Sequence, residues 1–371
     1  MFFDALQVMR GLASLAVLLY HTNIYATLMG HNPHTVFGAF TQPFSYGAWM
    51  FFTLSGFLMA SLIDRRYKSF LLRRVLRIYP SYVIASCLAL VAKIMVFGSV
   101  TSPLLPRAMT LLPLGATVYP LGVEWTLIFE MCFYLVCAAF SWQYGRKAFP
   151  YFLGVWAAVI LAVRGLVHVQ YSLVPTMRNV LLEPFDLLFI CGGLAFYLAR
   201  WRGPQEMAHR VGEGVAGAVL IVVACFQEST FARCVLLGLG FAAIILAVLP
   251  WTVRPGNRLH AVLERLGDYS YGLYLAQAPV VTIIYAVAVD QYHMHLGSGV
   301  AVLAFLCAMA TGIAMGALDV RLHVWSREWV KSWDARRAAA ASARATRAPT
   351  GLAALAVCAL GKGQPTTKSS P

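Results

Sequence analysis

The chain has 371 residues, of which 60% are hydrophobic and only 12% are charged, and its mean hydropathy is +0.70. This composition leaves too little polar surface for a water-soluble domain and predicts a polytopic membrane protein. The formal net charge of +14 at pH 7 is compatible with a nucleic-acid partner, but the positions of the basic residues indicate membrane orientation instead.

Ten apolar runs are each long enough to cross a bilayer core of about 30 Å, which takes about 20 helical residues. The predicted spans are 6–25, 44–63, 80–97, 122–141, 150–168, 181–199, 211–226, 232–250, 270–288 and 298–318. The predicted fold class is therefore an all-α polytopic membrane bundle of about ten transmembrane helices. Sequence motifs of soluble enzymes, such as P-loops and Gly-x-Ser-x-Gly elbows, do not occur.

Lys and Arg are concentrated on one side of the alternating spans. The opposite loops hold only Arg107, Arg178 and Arg233. By the positive-inside rule the basic side is cytoplasmic, which places both termini there. Because no basic residue precedes the first span, we expect that span to be retained and not cleaved as a signal peptide. The basic loops carry Arg65, Arg66, Lys68, Arg73, Arg74, Arg77, Arg146, Lys147, Arg200, Arg202, Arg210, Arg254, Arg258 and Arg265.

The first predicted span contains two ionisable residues, Arg10 and His21. An arginine at the centre of a span costs at least about 2.5–3.5 kcal/mol, so its presence needs a reason. Eleven helical steps of 100° make about three turns, so the two residues share one face and lie about 16 Å apart along the axis. They would line one polar conduit, or Arg10 would extend to the cytoplasmic interface and His21 would be a hydrogen-bonded core residue.

The segment before the third predicted span carries Arg73, Arg74 and Arg77 at helical spacing, with Pro80 opening the span. Arg73 and Arg77 are four residues apart and are expected to face the same way. Three arginines and no lysine favour a phosphate site, because guanidinium groups offer paired donors. The same residues would also serve as topology determinants alone.

Two groups of acidic residues lie in the predicted spans near the outer side. The helical rise places Glu130 and His21 at similar depths, where a carboxylate would orient the imidazole of a general base. A purely structural hydrogen bond of Glu130 to a Trp or an Arg is the alternative. Glu183 and Asp186 would bind a polar acceptor, or would favour the start of the sixth helix by their negative charge.

The remaining features are less informative. Residues 321–371 are basic and rich in Ala, Ser, Thr and Pro, which predicts a disordered cytoplasmic tail after a transmembrane domain of residues 1–320. The eight cysteines lack metal-like spacing, although Cys225 and Cys234 flank one short outer loop and could pair. The outer-loop histidines His31, His34, His293 and His295 have no acidic or cysteine neighbours, so no metal site is predicted.

Five motifs, in order, resemble the acyltransferase 3 family of bacterial membrane acyltransferases, and are closest to its exopolysaccharide-production branch. Arg10 and His21 match its Arg-x10-His signature. The other four motifs are MFFTLSGFLMA (50–60), RRVLRIYP (73–80), WTLIFEMCFY (125–134) and LGDYSYGLYLAQAP (266–279). The sequence departs from the family pattern at Ala48, Trp49, Ile128 and Gln277.

The resemblance implies an acyltransferase of the bacterial cytoplasmic membrane that moves an acyl group, usually acetyl, from cytoplasmic acetyl-CoA to a glycan hydroxyl. Arg73, Arg74 and Arg77 would then bind the CoA phosphates, and Arg10, His21 and Glu130 would be catalytic. His21 would act as general base or as a covalent acyl carrier. Trp125 and Glu183 would contact the acceptor. The expected partners are acyl-CoA, the acceptor and membrane lipid, without nucleic acid.

Two other readings of the sequence remain open. A membrane-bound O-acyltransferase of a different family would also place a histidine in a span. A transporter or glycan flippase would use the same charged residues for proton or substrate passage, although the repeats typical of transporters are not seen.

Overall fold

The structure is a computed structural model that describes residues 4–64, 69–98, 105–115, 119–166, 175–249 and 258–347. Nine of the helices in these ranges are long and apolar enough to cross a membrane. The prediction of a polytopic helical bundle is confirmed. The helices are α1 (Asp4–Gly30), α2 (Tyr46–Asp64), α3 (Phe70–Phe97), α4 (Leu105–Met109), α5 (Glu124–Gln143), α6 (Phe149–Leu166), α7 (Phe185–Arg202), α8 (Met207–Cys225), α9 (Thr230–Val248), α10 (Arg258–Ala286) and α11 (Ser298–Arg347).

Helix α7 corresponds to the remaining predicted span, 181–199. It has 18 residues, but Asp186 in its first turn and Arg200 and Arg202 in its last make it less apolar than the other nine. It packs against α2, α6 and α9. Its polar ends are therefore supported by neighbouring helices within the bundle.

The third and ninth predicted spans are longer in the structure than in the sequence-based prediction. Helix α3 begins at Phe70 and not at Pro80, which lies inside the helix, and α10 begins at Arg258 and not at residue 270. Arginine and leucine are good helix formers, so the basic segments continue the helices beyond their apolar parts. Arg73, Arg74 and Arg77 consequently lie on a helix.

The chain divides into two compact units, Met1–Val324 and Trp325–Pro371. Within the second unit α11 remains helical to Arg347, so the disorder predicted for this stretch does not agree with the structure. Alanine and arginine, which suggested disorder by composition, are also among the strongest helix formers. The rings of Trp329 and Trp333 stack there, 6.4 Å apart, and residues 348–371 lie outside the described part of the chain.

Glycines allow several helices of the first unit to approach one another closely. A Cβ atom added at Gly56 would lie 1.9 Å from the carbonyl oxygen of Phe189, and one at Gly267 would lie 2.1 Å from that of Gln7. Contacts of this kind join α2 to α7 and α1 to α10. Small residues allow close helix packing in membranes. Van der Waals contact between helices stabilises the bundle there, because the hydrophobic effect does not drive helices together within lipid.

The main core lies where α2, α5 and α7 meet, and it is largely aromatic. The ring of Phe189 stacks on Phe52 at 4.6 Å and on Phe133 at 4.5 Å, and Phe185 contacts Phe52, Phe129 and Trp125. Stacked and edge-on aromatic pairs contribute beyond the area that they bury. This core holds α2 and α5 in register, and both helices supply side chains to the site described below.

We expect Gly56→Ala to destabilise the protein by about 1–3 kcal/mol or more, because the added methyl group overlaps the backbone of α7. Gly154→Ala in α6 is the matched control, since a Cβ there meets nothing within 4 Å and helix propensity favours Ala by about 0.5–1 kcal/mol. The unfolding temperature of both variants is measured by heating them in detergent and by using size-exclusion chromatography to quantify the protein that remains folded. Equal unfolding temperatures for the two variants would contradict the close α2–α7 packing.

Candidate active site

A polar cavity lies between α1, α2, α3, α5 and α10, and we call it the central cavity. It encloses about 100 Å³ and has both polar and apolar walls. It collects four of the ionisable residues singled out in the sequence, although they come from distant parts of the chain. Its polar lining consists of Arg10, Ser55, Arg74, Arg77, Thr126, Glu130, Tyr134, Tyr271 and Tyr274.

Glu130 is the acidic residue of the central cavity. Its Oε1 atom accepts a hydrogen bond of 2.6 Å from the Ser55 hydroxyl on α2 and another from the Tyr134 hydroxyl, one turn further along α5. Two donors on one carboxylate oxygen fix its orientation. The Ser-Gly-Phe motif thus contributes in two ways, since Ser55 orients Glu130 and Gly56 admits α7.

Arg10 enters the same cavity from α1. Its Nη1 atom donates to Gln7 Oε1 at 3.1 Å, and Gln7 Nε2 donates to Asp268 Oδ1 at 2.8 Å. Arg10 also interacts electrostatically with Arg77 and Glu130. The guanidinium is therefore tied to α1 and α10 on one side, while its other side faces the cavity.

An ion pair joins Arg77, a residue of the central cavity on α3, to Asp319 on α11. Nη1 of Arg77 donates to both carboxylate oxygens at 2.7 Å, and Ser81 Oγ donates to Oδ1 at 2.6 Å. The guanidinium also lies 4.9 Å from the ring centroid of Tyr271. Asp319 is only 2% exposed. Much of the charge of Arg77 is therefore neutralised within the protein.

Asp319 was missed by the sequence analysis. The tenth span was predicted to end at residue 318, which placed this carboxylate just outside the membrane. The usable signal was a single acidic residue inside a long apolar helix, opposite a helix rich in arginine. An intramembrane acid of this kind needs a partner.

Arg74 has more uncommitted donors than Arg77. It lines the central cavity, its Nε atom is buried without a hydrogen-bond partner, and its guanidinium lies 6.0 Å from the Tyr134 ring centroid. The expectation that Arg73 and Arg77 share the functional face is not met, because Arg73 does not line this cavity. Arg74, Arg77 and Ile78 lie three and four residues apart and form the cavity face instead.

His21 lines a second cavity of about 340 Å³, which we call the outer cavity. The imidazole lies between Tyr20 and Tyr25, with ring centroids 5.6 and 5.4 Å away. Its Nδ1 atom is buried and has no hydrogen-bond partner. Trp49 and Trp125 also line this cavity, so its walls are partly aromatic.

The predicted contact between His21 and Glu130 is not formed. The outer cavity meets α5 at Trp125, which lies five residues and about 7.5 Å along the axis from Glu130, and it meets the loop before α5 at Gly122 and Val123. The predicted depths of His21 and Glu130 depend on the predicted ends of two spans, and these ends do not fix how far one helix slides past the other. Glu130 faces Ser55 instead, and the nitrogen that a carboxylate would orient has no partner.

Glu183 lines neither cavity. It forms a buried ion pair with Arg164 of α6, with 2.6 Å between Nη2 and Oε2. Asp186 lies in the first turn of α7, and its Oδ2 atom has no hydrogen-bond partner. The geometry of Glu183 therefore indicates a link between α6 and the start of α7, whereas Trp125 does lie at a cavity wall.

The positions where the sequence departs from the resembled pattern have different surroundings. Ala48 lines both cavities and Trp49 lines the outer one. Ile128 is buried in the core, and Gln277 is fully buried with neither amide atom hydrogen-bonded. Cys225 and Cys234 are free thiols, so the possible disulfide is not formed.

A third opening, the basic-end groove, lies where α2 ends and α3 begins. Its volume is about 340 Å³, and its lining includes Leu62, Phe70, Trp142 and Arg146. These residues continue the same faces of α2, α3 and α5 that line the central cavity. The basic-end groove, central cavity and outer cavity thus follow one another along the shared helices.

Comparisons with known proteins agree with these motifs. A family model described as an acyltransferase domain matches residues 3–318. The exopolysaccharide production protein ExoZ of Rhizobium meliloti (strain 1021) is 26% identical over 265 residues, which is 64% of this chain and 77% of that protein. No solved structure matches the chain. The predicted family resemblance is confirmed.

We expect Asp319→Ala to lower the free energy of unfolding by about 3–5 kcal/mol, because it leaves the buried charge of Arg77 without its partner. Ser81→Ala removes one hydrogen bond to Asp319 and should cost only about 1 kcal/mol. Glu213→Ala, which breaks an exposed pair with Arg202, should cost less than about 1 kcal/mol. Thermal unfolding of the three variants in detergent tests this order, and an Asp319 variant as stable as wild type would contradict it.

Proposed function

Because this chain belongs to the acyltransferase domain family and is a membrane acyltransferase, we propose that it is an O-acetyltransferase of the bacterial cytoplasmic membrane. The donor would be cytoplasmic acetyl-CoA. The acceptor would be a hydroxyl of a glycan that is outside the cytoplasm or linked to lipid. The observation that carries the proposal is the succession of the basic-end groove, the central cavity with its charged residues and the outer cavity with His21 along α2 and α5.

The donor would enter at the basic end. Arg74 offers a guanidinium with an unpartnered Nε atom, and Arg77 adds positive charge beside it. Forked donors suit phosphate oxygens, which are the most highly charged part of a CoA thioester. Arg73 belongs to the same helix turn but lies outside the cavity lining, so its contribution would be to the local field. The thioester arm would then extend into the central cavity.

Arg10 and Glu130 would act on the thioester in the central cavity. A guanidinium beside the thioester carbonyl would stabilise the negative charge that develops on oxygen during attack. Glu130 is hydrogen-bonded to Ser55 and Tyr134, and it would counterbalance the arginines and position the donor. This replaces the predicted role of Glu130 as a partner of His21.

The acceptor would approach from the outer cavity. Tyr20, Tyr25, Trp49 and Trp125 line the outer cavity together with His21 and give it aromatic surface and polar ring atoms. Flat amphipathic side chains of this kind pack against the apolar faces of sugar rings while their polar ends remain hydrated. ExoZ is named as an exopolysaccharide production protein, and this name supports a polysaccharide unit as the acceptor.

Two routes lead from these groups to the ester. In the first, His21 takes the proton of the acceptor hydroxyl, the oxygen attacks the thioester carbon, and the carbon–sulfur bond breaks to release CoA. In the second, a nitrogen of His21 attacks the thioester carbon and the carbon–sulfur bond breaks to release CoA. The acceptor oxygen then attacks the acyl carbon, and the carbon–nitrogen bond breaks to free His21. An acyl adduct formed from labelled donor without acceptor would establish the second route.

Transport of a glycan or proton is the alternative that the charged residues suggested. Membership of an acyltransferase family favours group transfer. The direct test has two parts. Mass spectrometry compares the glycan ester content of cells with the gene and cells without it. An assay of the purified protein measures acetyl-CoA consumption. Solute movement without acetyl-CoA consumption would overturn the proposal.

We expect His21→Gln to lower kcat by about 100-fold or more, because the general base or acyl carrier is lost. Acetyl-CoA binding should be unchanged, since the donor arginines lie in another cavity. His34→Gln, in an exposed loop, is the matched control. Acetyl transfer to the acceptor, measured as CoA release, gives kcat, and a His21 variant with normal kcat would exclude it from the reaction.

We expect Arg74→Ala to weaken acetyl-CoA binding by about 10- to 150-fold, which corresponds to the loss of one hydrogen-bonded charge contact of about 1.5–3 kcal/mol. Arg74→Lys should fall between this variant and wild type, because lysine keeps the charge without the fork. The exposed Arg202→Ala, at the same end of the bundle, is the control. Titration calorimetry measures the Kd, and unchanged affinity in the alanine variant would reduce Arg74 to a topology determinant.

A further inference from the structure

The central and outer cavities are separated by a narrow wall. Two residues, Ala48 on α2 and Tyr274 on α10, line both cavities. The alanine offers only a methyl group, so the Tyr274 side chain supplies most of the barrier. Tyr274 is 7% exposed, and its ring lies 5.8 Å from that of Phe51.

A hydrogen bond holds Tyr274 across this wall. Its hydroxyl lies 2.8 Å from Thr126 Oγ1, and the Thr126 hydroxyl donates to the Val123 carbonyl at 2.8 Å. Because the threonine proton is used in that bond, the phenol is the donor to Thr126. The bond links α10 to α5 at a level between Glu130 and the residues that border the outer cavity.

This arrangement places the groups of the proposed reaction on opposite sides of one ring. Arg10, Arg74 and Glu130 line the central cavity, whereas His21 lines the outer one. We propose that Tyr274 is a gate between the donor cavity and the acceptor cavity, and that its hydrogen bond to Thr126 opens during each transfer. This inference rests on the proposed acetyltransferase function.

A closed gate protects the thioester from water. In hydrolysis, a water oxygen attacks the acyl carbon, the carbon–sulfur bond breaks, and the products are acetic acid and the CoA thiol. An acceptor hydroxyl reacts in the same way, so the enzyme must exclude water until an acceptor is bound. The Tyr274 ring and its bond to Thr126 place an apolar barrier where water from the outer cavity would enter.

Helix α10 contains a feature that lowers the cost of opening. Pro279 lies inside the helix and lacks a backbone N–H group, so the carbonyl of Leu275 loses its usual helical partner. Leu275 directly follows Tyr274. A helix with a missing hydrogen bond bends or shifts more readily at that turn. Ala48, which lines the same two cavities, has only a methyl side chain.

The test measures CoA release from acetyl-CoA by the purified full chain, with and without acceptor. Tyr274→Ala removes the barrier, and we expect acceptor-independent hydrolysis to rise more than about tenfold. Tyr274→Phe keeps the ring but loses the hydrogen bond, which should raise hydrolysis about fivefold. Tyr82→Ala is the control, because Tyr82 is a buried tyrosine of α3 whose hydroxyl donates to the Ala108 carbonyl and which lines neither cavity.

A second readout does not depend on catalysis. Leu127 is a buried residue of the central cavity wall, and Leu127→Cys can be labelled by a membrane-impermeant maleimide added from the side of the outer cavity. Peptide mass spectrometry separates this label from that on native cysteines. We expect the label to appear more than about tenfold faster when Tyr274→Ala is combined with this substitution.

The outcomes separate the gate from the proposed function. Unchanged labelling and unchanged hydrolysis in Tyr274→Ala would overturn the gate. Lack of acetyl-CoA consumption by the wild-type protein would overturn the function, while the labelling rates would still decide the gate. If Tyr274→Ala does not fold, Thr126→Val decides, since it removes the hydrogen-bond acceptor and should raise both rates about fivefold; unchanged rates would again overturn the gate.

Discussion

The requirement that buried charges in a membrane have partners organises this protein. The Arg77–Asp319 pair joins α3 to α11, and the hydrogen bonds of Ser55 and Tyr134 to Glu130 join α2 to α5. Each charge would be costly alone in hydrocarbon, and each is stabilised by groups on another helix. The same contacts therefore assemble the bundle and hold a set of ionisable side chains around one cavity.

Close helix packing makes these contacts possible. Gly56 and Gly267 let backbones touch where larger residues would hold the helices apart. The aromatic core around Phe189 then fixes α2, α5 and α7 relative to one another. A rigid frame of this kind allows Arg74 to keep donors directed at the cavity, although an unpaired guanidinium would otherwise move toward water.

The separation of the cavities has a chemical meaning within the proposed reaction. A donor thioester and an acceptor hydroxyl can reach the protein from opposite membrane faces, but they must meet at one carbon atom. Tyr274 and Ala48 stand at the place where the two cavities adjoin. A protein that keeps the thioester and the hydroxyl apart until both are bound avoids hydrolysis of the donor. Their meeting then requires motion of the Tyr274 side chain and of a nearby turn of α10.

Much of the architecture was predictable from the amino-acid sequence. The length of each apolar run determines whether it can span a bilayer, and local residue order determines the family motifs around Arg10, His21 and Glu130. The sequence did not reveal that Glu130 faces Ser55 and not His21, that Arg74 and not Arg73 lines the cavity, or that Asp319 neutralises Arg77. These facts depend on the rotation and sliding of one helix against another. Close packing between residues far apart in the chain decides both, so only the tertiary structure could establish them.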